Sequence, residues 1–81
     1  SRELSVLLVD DHELIRQGLA RAFERAADFR VAGEAGTVSE ARSLAAKLQP
    51  DVVVTDVRLP DGTGHDLVRE LRARDEEVGI V

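Results

Sequence analysis

Short apolar runs alternate along this chain with stretches of helical period. Ser5-Val6-Leu7-Leu8-Val9 is nearly all apolar and closes on Asp10-Asp11. A run without polar alternation is buried on both faces, as in a parallel sheet. From about His12 to Arg25, Ile15, Leu19, Ala22, Phe23 and Ala26 recur at helical spacing and predict one buried face, with Arg16, Arg21 and Glu24 on the other. Phe29 to Ala35 alternates apolar with polar or small residues, which predicts a half-exposed strand at a sheet edge. Thr37-Val38-Ser39-Glu40 has the form of a capping box. The helix it opens carries Val38, Ala41, Leu44, Ala45 and Leu48 on one side and stops at Pro50.

The β-branched run Asp51–Asp56 predicts a third strand. Leu59–Gly64 is turn-rich, and Gly62 there is expected to adopt a positive φ. A third helix follows over about His65–Arg74, with Leu67, Val68 and Leu71 inward, and Val78–Val81 opens a fourth strand. The order β-α-β-α-β-α-β implies right-handed crossovers and a parallel sheet with helices on both faces. In such sheets the working site lies at the carboxyl ends of the strands.

Composition narrows the chemistry. The 81 residues allow at most one domain, and without Cys there is no disulfide, thiolate metal site or thiol nucleophile. No apolar run approaches the roughly 18 residues needed to cross a bilayer, and the start lacks a signal-peptide core. A cytoplasmic location without membrane partners is therefore expected. The 16 acidic residues outnumber 11 basic ones, and the only aromatics are Phe23 and Phe29. That balance disfavours direct nucleic-acid binding by this segment.

Acid stands at two strand ends, Asp10-Asp11 and Asp56. If those strands are parallel neighbours, their ends lie about 5 Å apart and three carboxylates converge. Like charges that close call for a positive partner, and Mg²⁺ favours oxygen ligands of this kind. A carboxylate beside Mg²⁺ can accept a phosphoryl group, and Asp56, between a buried strand and a turn, is the better nucleophile. Plainer roles exist for each residue. Asp11 suits a helix N-cap, Asp10 a solvated loop acid and Asp56 a turn-starting residue. No basic residue with a fixed place in this pocket is evident.

The stretches Val6-Leu7-Leu8-Val9-Asp10-Asp11-His12 and Thr55-Asp56-Val57-Arg58-Leu59-Pro60-Asp61-Gly62-Thr63-Gly64 resemble the opening and the phospho-acceptor loop of two-component response-regulator receiver domains. Asp11–Leu19 and Val31–Ala35 resemble the NarL/LuxR-type branch. The resemblance spans nearly the whole chain. It implies a flavodoxin-like (CheY-like) doubly wound sheet of strand order 2-1-3-4. It also implies that a sensor histidine kinase phosphorylates Asp56, and that Mg²⁺ is held by Asp10, Asp11, an Asp56 oxygen and the backbone carbonyl of Arg58. Pro60 and Gly64 would shape the loop. His12 and His65 are expected to be solvent-facing residues at helix starts, not ligands.

Residues 1–81 are expected to be the N-terminal part of a receiver. The family's switch Ser/Thr, its phosphate-binding Lys, its fifth strand, its fourth and fifth helices and a DNA-binding output domain are not in this sequence. The chain is thus expected to act as a phospho-acceptor and not as an enzyme, with incomplete switch function and contact to DNA only through another domain. An apolar fourth strand at the edge predicts a homodimer or oligomer. Two other readings compete. An Asp-nucleophile phosphotransferase or phosphatase would carry an acid two residues past its nucleophile, where Arg58 stands. A nucleotide-binding fragment would show a Gly-rich phosphate loop, and none occurs.

Overall fold

The structure, a computed structural model, describes residues 3–74 and 79–80. The elements run β1 (Leu4–Val9), α1 (Glu13–Arg25), β2 (Phe29–Ala35), α2 (Val38–Leu48), β3 (Val52–Thr55), β4 (Arg58–Leu59), β5 (Gly62–Thr63), α3 (Gly64–Arg74) and β6 (Gly79–Ile80). The main sheet is ordered β2-β1-β3-β6, and each neighbouring pair is parallel. This is the expected order, with β6 as the fourth strand. Val78 and Val81, at the ends of that predicted strand, lie outside the described residues.

The doubly apolar run makes β1 the central strand. Successive side chains of a strand point to opposite faces, so β1 feeds two cores. Leu7 and Val9 pack with Val53 and with Ala41 and Ala45 of α2 and Leu67 and Leu71 of α3. Val6 and Leu8 pack on the other face with Ala20 of α1, flanked by Leu19, Phe23, Phe29 and Val31. Phe23 and Phe29 meet edge to face with ring centroids 5.3 Å apart, a favoured aromatic geometry. Asp51 sets the start of β3 against β1. Its Oδ2 accepts from the Ser5 backbone N–H at 2.8 Å and from the Ser5 hydroxyl at 3.1 Å.

The face of α1 differs from the expected one. Ile15 is 51% exposed and Ala22 is exposed, whereas Ala20 is buried and Arg16 is partly buried. The helix turns Arg16, Leu19, Ala20 and Phe23 toward the sheet, also a helical stripe. Small Ala20 lets the helix approach Val6 and Leu8, while the guanidinium of Arg16 finds backbone and carboxylate acceptors at the sheet end. The apolar stripe of α1 is wider than the strip that touches the described sheet.

The capping box expected at α2 forms through Thr37, while its Glu40 arm reaches one residue further back, to Gly36, instead of the N-cap amide. Thr37 Oγ1 accepts from the Glu40 N–H at 3.0 Å, and Glu40 Oε1 accepts from the Gly36 N–H at 2.9 Å. At the other end Gln49 takes the left-handed conformation, φ 48°, before Pro50. That ends the helix in the geometry glycine usually supplies. Arg42 of α2 pairs with Glu70 of α3 through Nε–Oε2 at 2.7 Å and a second bond at 3.0 Å. With both side chains nearly half exposed, solvent screening leaves the pair little weight in stability.

The predicted turn-rich loop contains a small antiparallel hairpin, β4–β5, closed by Pro60 and Asp61. No glycine among the described residues has positive φ, so the expectation for Gly62 is corrected. Its need is spatial, because a Cβ there would sit 3.2 Å from Val38 Cγ2. The proline ring holds the turn at negative φ, and Gly62 lies in β5.

Candidate functional site

Both acidic strand ends are fixed by ladder bonds continuing past the strands. The Asp10 N–H donates to the Ala35 carbonyl at 3.0 Å, and the Asp56 N–H donates to the Val9 carbonyl at 2.9 Å. Because β1 and β3 are parallel neighbours in register from Val6↔Val52 to Val9↔Thr55, their terminal acids emerge side by side. Asp10 is 7% exposed, Asp11 is exposed and Asp56 is partly buried. One oxygen from each of these three carboxylates and a ring nitrogen of His12 all lie within 4.8 Å of one another. A cluster of this kind could hold a metal ion.

His12 is the member that the sequence pattern does not single out. Its side chain is 62% exposed, yet Nδ1 lies 2.9 Å from Asp10 Oδ1 and 3.1 Å from Asp11 Oδ1. Facing two carboxylate oxygens, Nδ1 is placed to donate a proton to either. The hydrogen bond to Asp10, and then the charge of Asp11, raise the His12 pKa above its ordinary 6.5. When protonated, the imidazole offsets part of the repulsion among the acids. Capping of α1 also differs from the expectation for Asp11. His12 occupies the N-cap position without a side-chain cap bond, and Asp10 Oδ1 accepts the His12 N–H at 2.8 Å. The sequence signal is only the adjacency Asp-Asp-His, which a solvent-facing histidine would share.

A fixed basic residue is also present. Arg16 donates through a terminal nitrogen to the Asp10 carbonyl at 2.6 Å, and its Nε lies 3.4 Å from Glu34 Oε1. It steadies the backbone of Asp10 and supplies positive charge beside the cluster. On the Asp56 side, Oδ1 accepts the Val57 N–H at 2.8 Å, and the Gly64 N–H donates to the Val57 carbonyl at 2.8 Å. Arg58, the fourth predicted donor residue, is exposed and opens β4, paired with Thr63. His65 is exposed in the first turn of α3, as expected.

The sequence marks Asp61 only as part of a turn, and the fold gives it more. Its Oδ1 accepts the Val38 N–H at 2.7 Å and its Oδ2 the Ser39 N–H at 3.0 Å. These two backbone bonds hold its carboxyl below the ordinary value of 3.8. Among the described residues no helix is long and apolar enough to cross a membrane.

A doubly wound parallel sheet with carboxylates gathered at the ends of its two central strands defines an α/β domain whose C-terminal edge could hold a cation. The family follows from comparison: the chain belongs to the response regulator receiver domain family, whose model matches residues 6–81. The transcriptional activator DevR/DosR of Mycobacterium tuberculosis is 48% identical over 71 residues, which cover 88% of this chain and 33% of that protein. LiaR of Bacillus subtilis is 40% identical over 68 residues, covering 84% of this chain and 32% of LiaR. A LuxR-family two-component response regulator from Aurantimonas sp. superposes with a TM-score of 0.90 at 36% identity, over 96% of this chain and 56% of that one. The chain is thus a receiver domain of the NarL/LuxR type, with the CheY-like fold. It spans about a third of the length of the curated relatives it matches.

Proposed function

We propose that Asp56 is the phosphoryl acceptor of this receiver, and that Asp10, Asp11, Asp56 and the Arg58 backbone carbonyl are its Mg²⁺ ligands. The observation that carries this is the convergence of three carboxylates from two adjacent strand ends within 4.8 Å. An all-oxygen carboxylate set fits a hard divalent ion. Mg²⁺ bound there would neutralise charge on a phosphoryl group in transfer.

The remaining chemistry belongs to the chain. An ionised Asp56 oxygen attacks the phosphorus of a sensor kinase phosphohistidine. A P–O bond forms as the P–N bond breaks, and the electron pair leaves with the imidazole. β3 and the bond from the Asp56 N–H to Val9 keep the acceptor in line, and Asp10 and Asp11 hold the cation. The phosphorylated parent protein would act on DNA through an output domain, in the cytoplasm. The rival Asp-nucleophile enzyme is disfavoured by Arg58, a cation where that chemistry places an acid.

Incubation with acetyl phosphate should add the mass of one phosphoryl group when Mg²⁺ is present and none when it is chelated. No mass gain over hours with Mg²⁺ present would refute the reading. Self-association is a further expectation. Among the described residues β6 pairs only with β3, and a strand edge without a partner invites pairing. Sedimentation should show association rising with concentration, and a monomer throughout the micromolar range would exclude it.

A further inference from the structure

We propose that Asp61 is a positioning residue, a tether that holds the loop following Asp56 against the N-terminus of α2. Its consequence for the metal rests on the reading of Asp10, Asp11 and Asp56 given above.

The hairpin that carries Asp61 has two residue pairs, Arg58↔Thr63 and Leu59↔Gly62. An isolated two-stranded hairpin is marginal in water, and one this short needs outside contacts to stay in place. Leu59 is one anchor, 8% exposed in the core. Asp61 is the polar one. Its two oxygens take one α2 amide each, from Val38 and Ser39, across 23 and 22 residues of sequence.

Helix α2 has its own capping box, in which Thr37 takes the Glu40 amide. Asp61 adds acceptors for the amides of Val38 and Ser39, which that bond does not reach, and these acceptors come from outside the helix. The bonds are charge-assisted and sit at the positive end of the helix dipole. The same two bonds lower the Asp61 pKa below its ordinary value.

Val57 and Arg58 therefore lie between two fixed points. On one side the Asp56 N–H is bonded to Val9; on the other Asp61 is bonded to α2. The closing bond from the Gly64 N–H to the Val57 carbonyl spans the same loop. Mg²⁺ tolerates little departure from octahedral geometry, and outer residues that orient ligands typically change metal affinity by about 10- to 100-fold. Releasing the tether should loosen the Arg58 carbonyl without touching a carboxylate of the cluster.

The test compares Asp61→Ala and the milder Asp61→Asn with Thr37→Ala, which uncaps the same helix from within. Two quantities are read: Mg²⁺ affinity by titration, and hydrogen exchange of the Gly64 amide without metal. Asp61→Ala should weaken Mg²⁺ binding about tenfold and speed Gly64 exchange, with Asp61→Asn between it and the parent. Thr37→Ala should change neither. Unchanged Gly64 exchange in both Asp61 variants overturns the tether, whatever the metal does. Equal loss of Mg²⁺ affinity in Thr37→Ala also overturns it, because the effect would then run through helix stability. Should the parent bind no Mg²⁺ while Gly64 exchange quickens only in the Asp61 variants, the tether stands and the assignment of the metal ligands fails.

Discussion

An Asp56→Asn variant is expected to take up no phosphoryl group from acetyl phosphate and Mg²⁺ while remaining as stable as the parent, or more so. Asn matches Asp in shape, and its carbonyl oxygen can still accept the Val57 N–H that Asp56 Oδ1 accepts at 2.8 Å. The backbone bond from residue 56 to Val9 is untouched. What the variant lacks is a nucleophilic carboxylate, because the amide oxygen carries no full negative charge. It also removes one of three like charges gathered within 4.8 Å, which relieves repulsion. Intact-mass spectrometry and thermal unfolding together separate the outcomes. Lost labelling with an unchanged or raised melting temperature supports the acceptor role. Labelling that persists would move the acceptor to Asp10 or Asp11. Lost labelling with lost folding would be settled by Asp56→Glu, which keeps the charge and lengthens the side chain. If that folded variant labels at the parent rate, acceptor position does not matter and the reading fails.

The legible parts of this fold are those where one physical demand dominates a segment. Five consecutive buried positions in β1, Ser5–Val9, admit only a central strand. The Thr37–Glu40 box admits only a helix start. The acidic strand ends are visible in the sequence, but their meeting is conditional on β1 and β3 being parallel neighbours, which no local pattern states. Where two demands compete, the pattern misleads. On α1, the stripe through Ile15 and the one through Arg16 are both helical faces. Choosing between them requires knowing that Asp10 and Glu34 lie within reach of a guanidinium. His12 and Asp61 escape the sequence pattern because their partners are set by tertiary placement. A histidine before a helix and an aspartate in a Pro-Asp-Gly turn have ordinary solvent roles, and only the folded chain brings Asp10 or the α2 amides to them. For Gly62 the sequence suggests a need for conformational freedom, whereas the demand on it is the nearness of Val38.

Gly64 and Gly18 should respond to alanine with opposite signs, and the contrast tests the packing behind β3. Gly64 is buried at the start of α3. A Cβ there would collide with the Asp56 carbonyl oxygen and would also lie 3.1 Å from Thr55 Oγ1. Neither obstacle can swing away easily. The Asp56 backbone is bonded to Val9, and the Thr55 hydroxyl donates to the same carbonyl at 3.0 Å. Overpacking of this kind costs about 1–3 kcal/mol and more where backbone must move, so Gly64→Ala should lose about 3 kcal/mol. A chain of this length holds roughly 4–12 kcal/mol in total; the loss is a large share of it. Gly18 lies within α1, and a methyl group added there would meet no heavy atom within 4 Å outside its own helix. Gly18→Ala should gain about 0.5–1 kcal/mol, the ordinary helix preference for alanine over glycine. Urea unfolding reads both as shifts in midpoint at unchanged slope. A Gly64→Ala midpoint at or above the parent's would mean that the start of α3 does not press on the Asp56 carbonyl. The geometry of the loop after Asp56 would then need a different support.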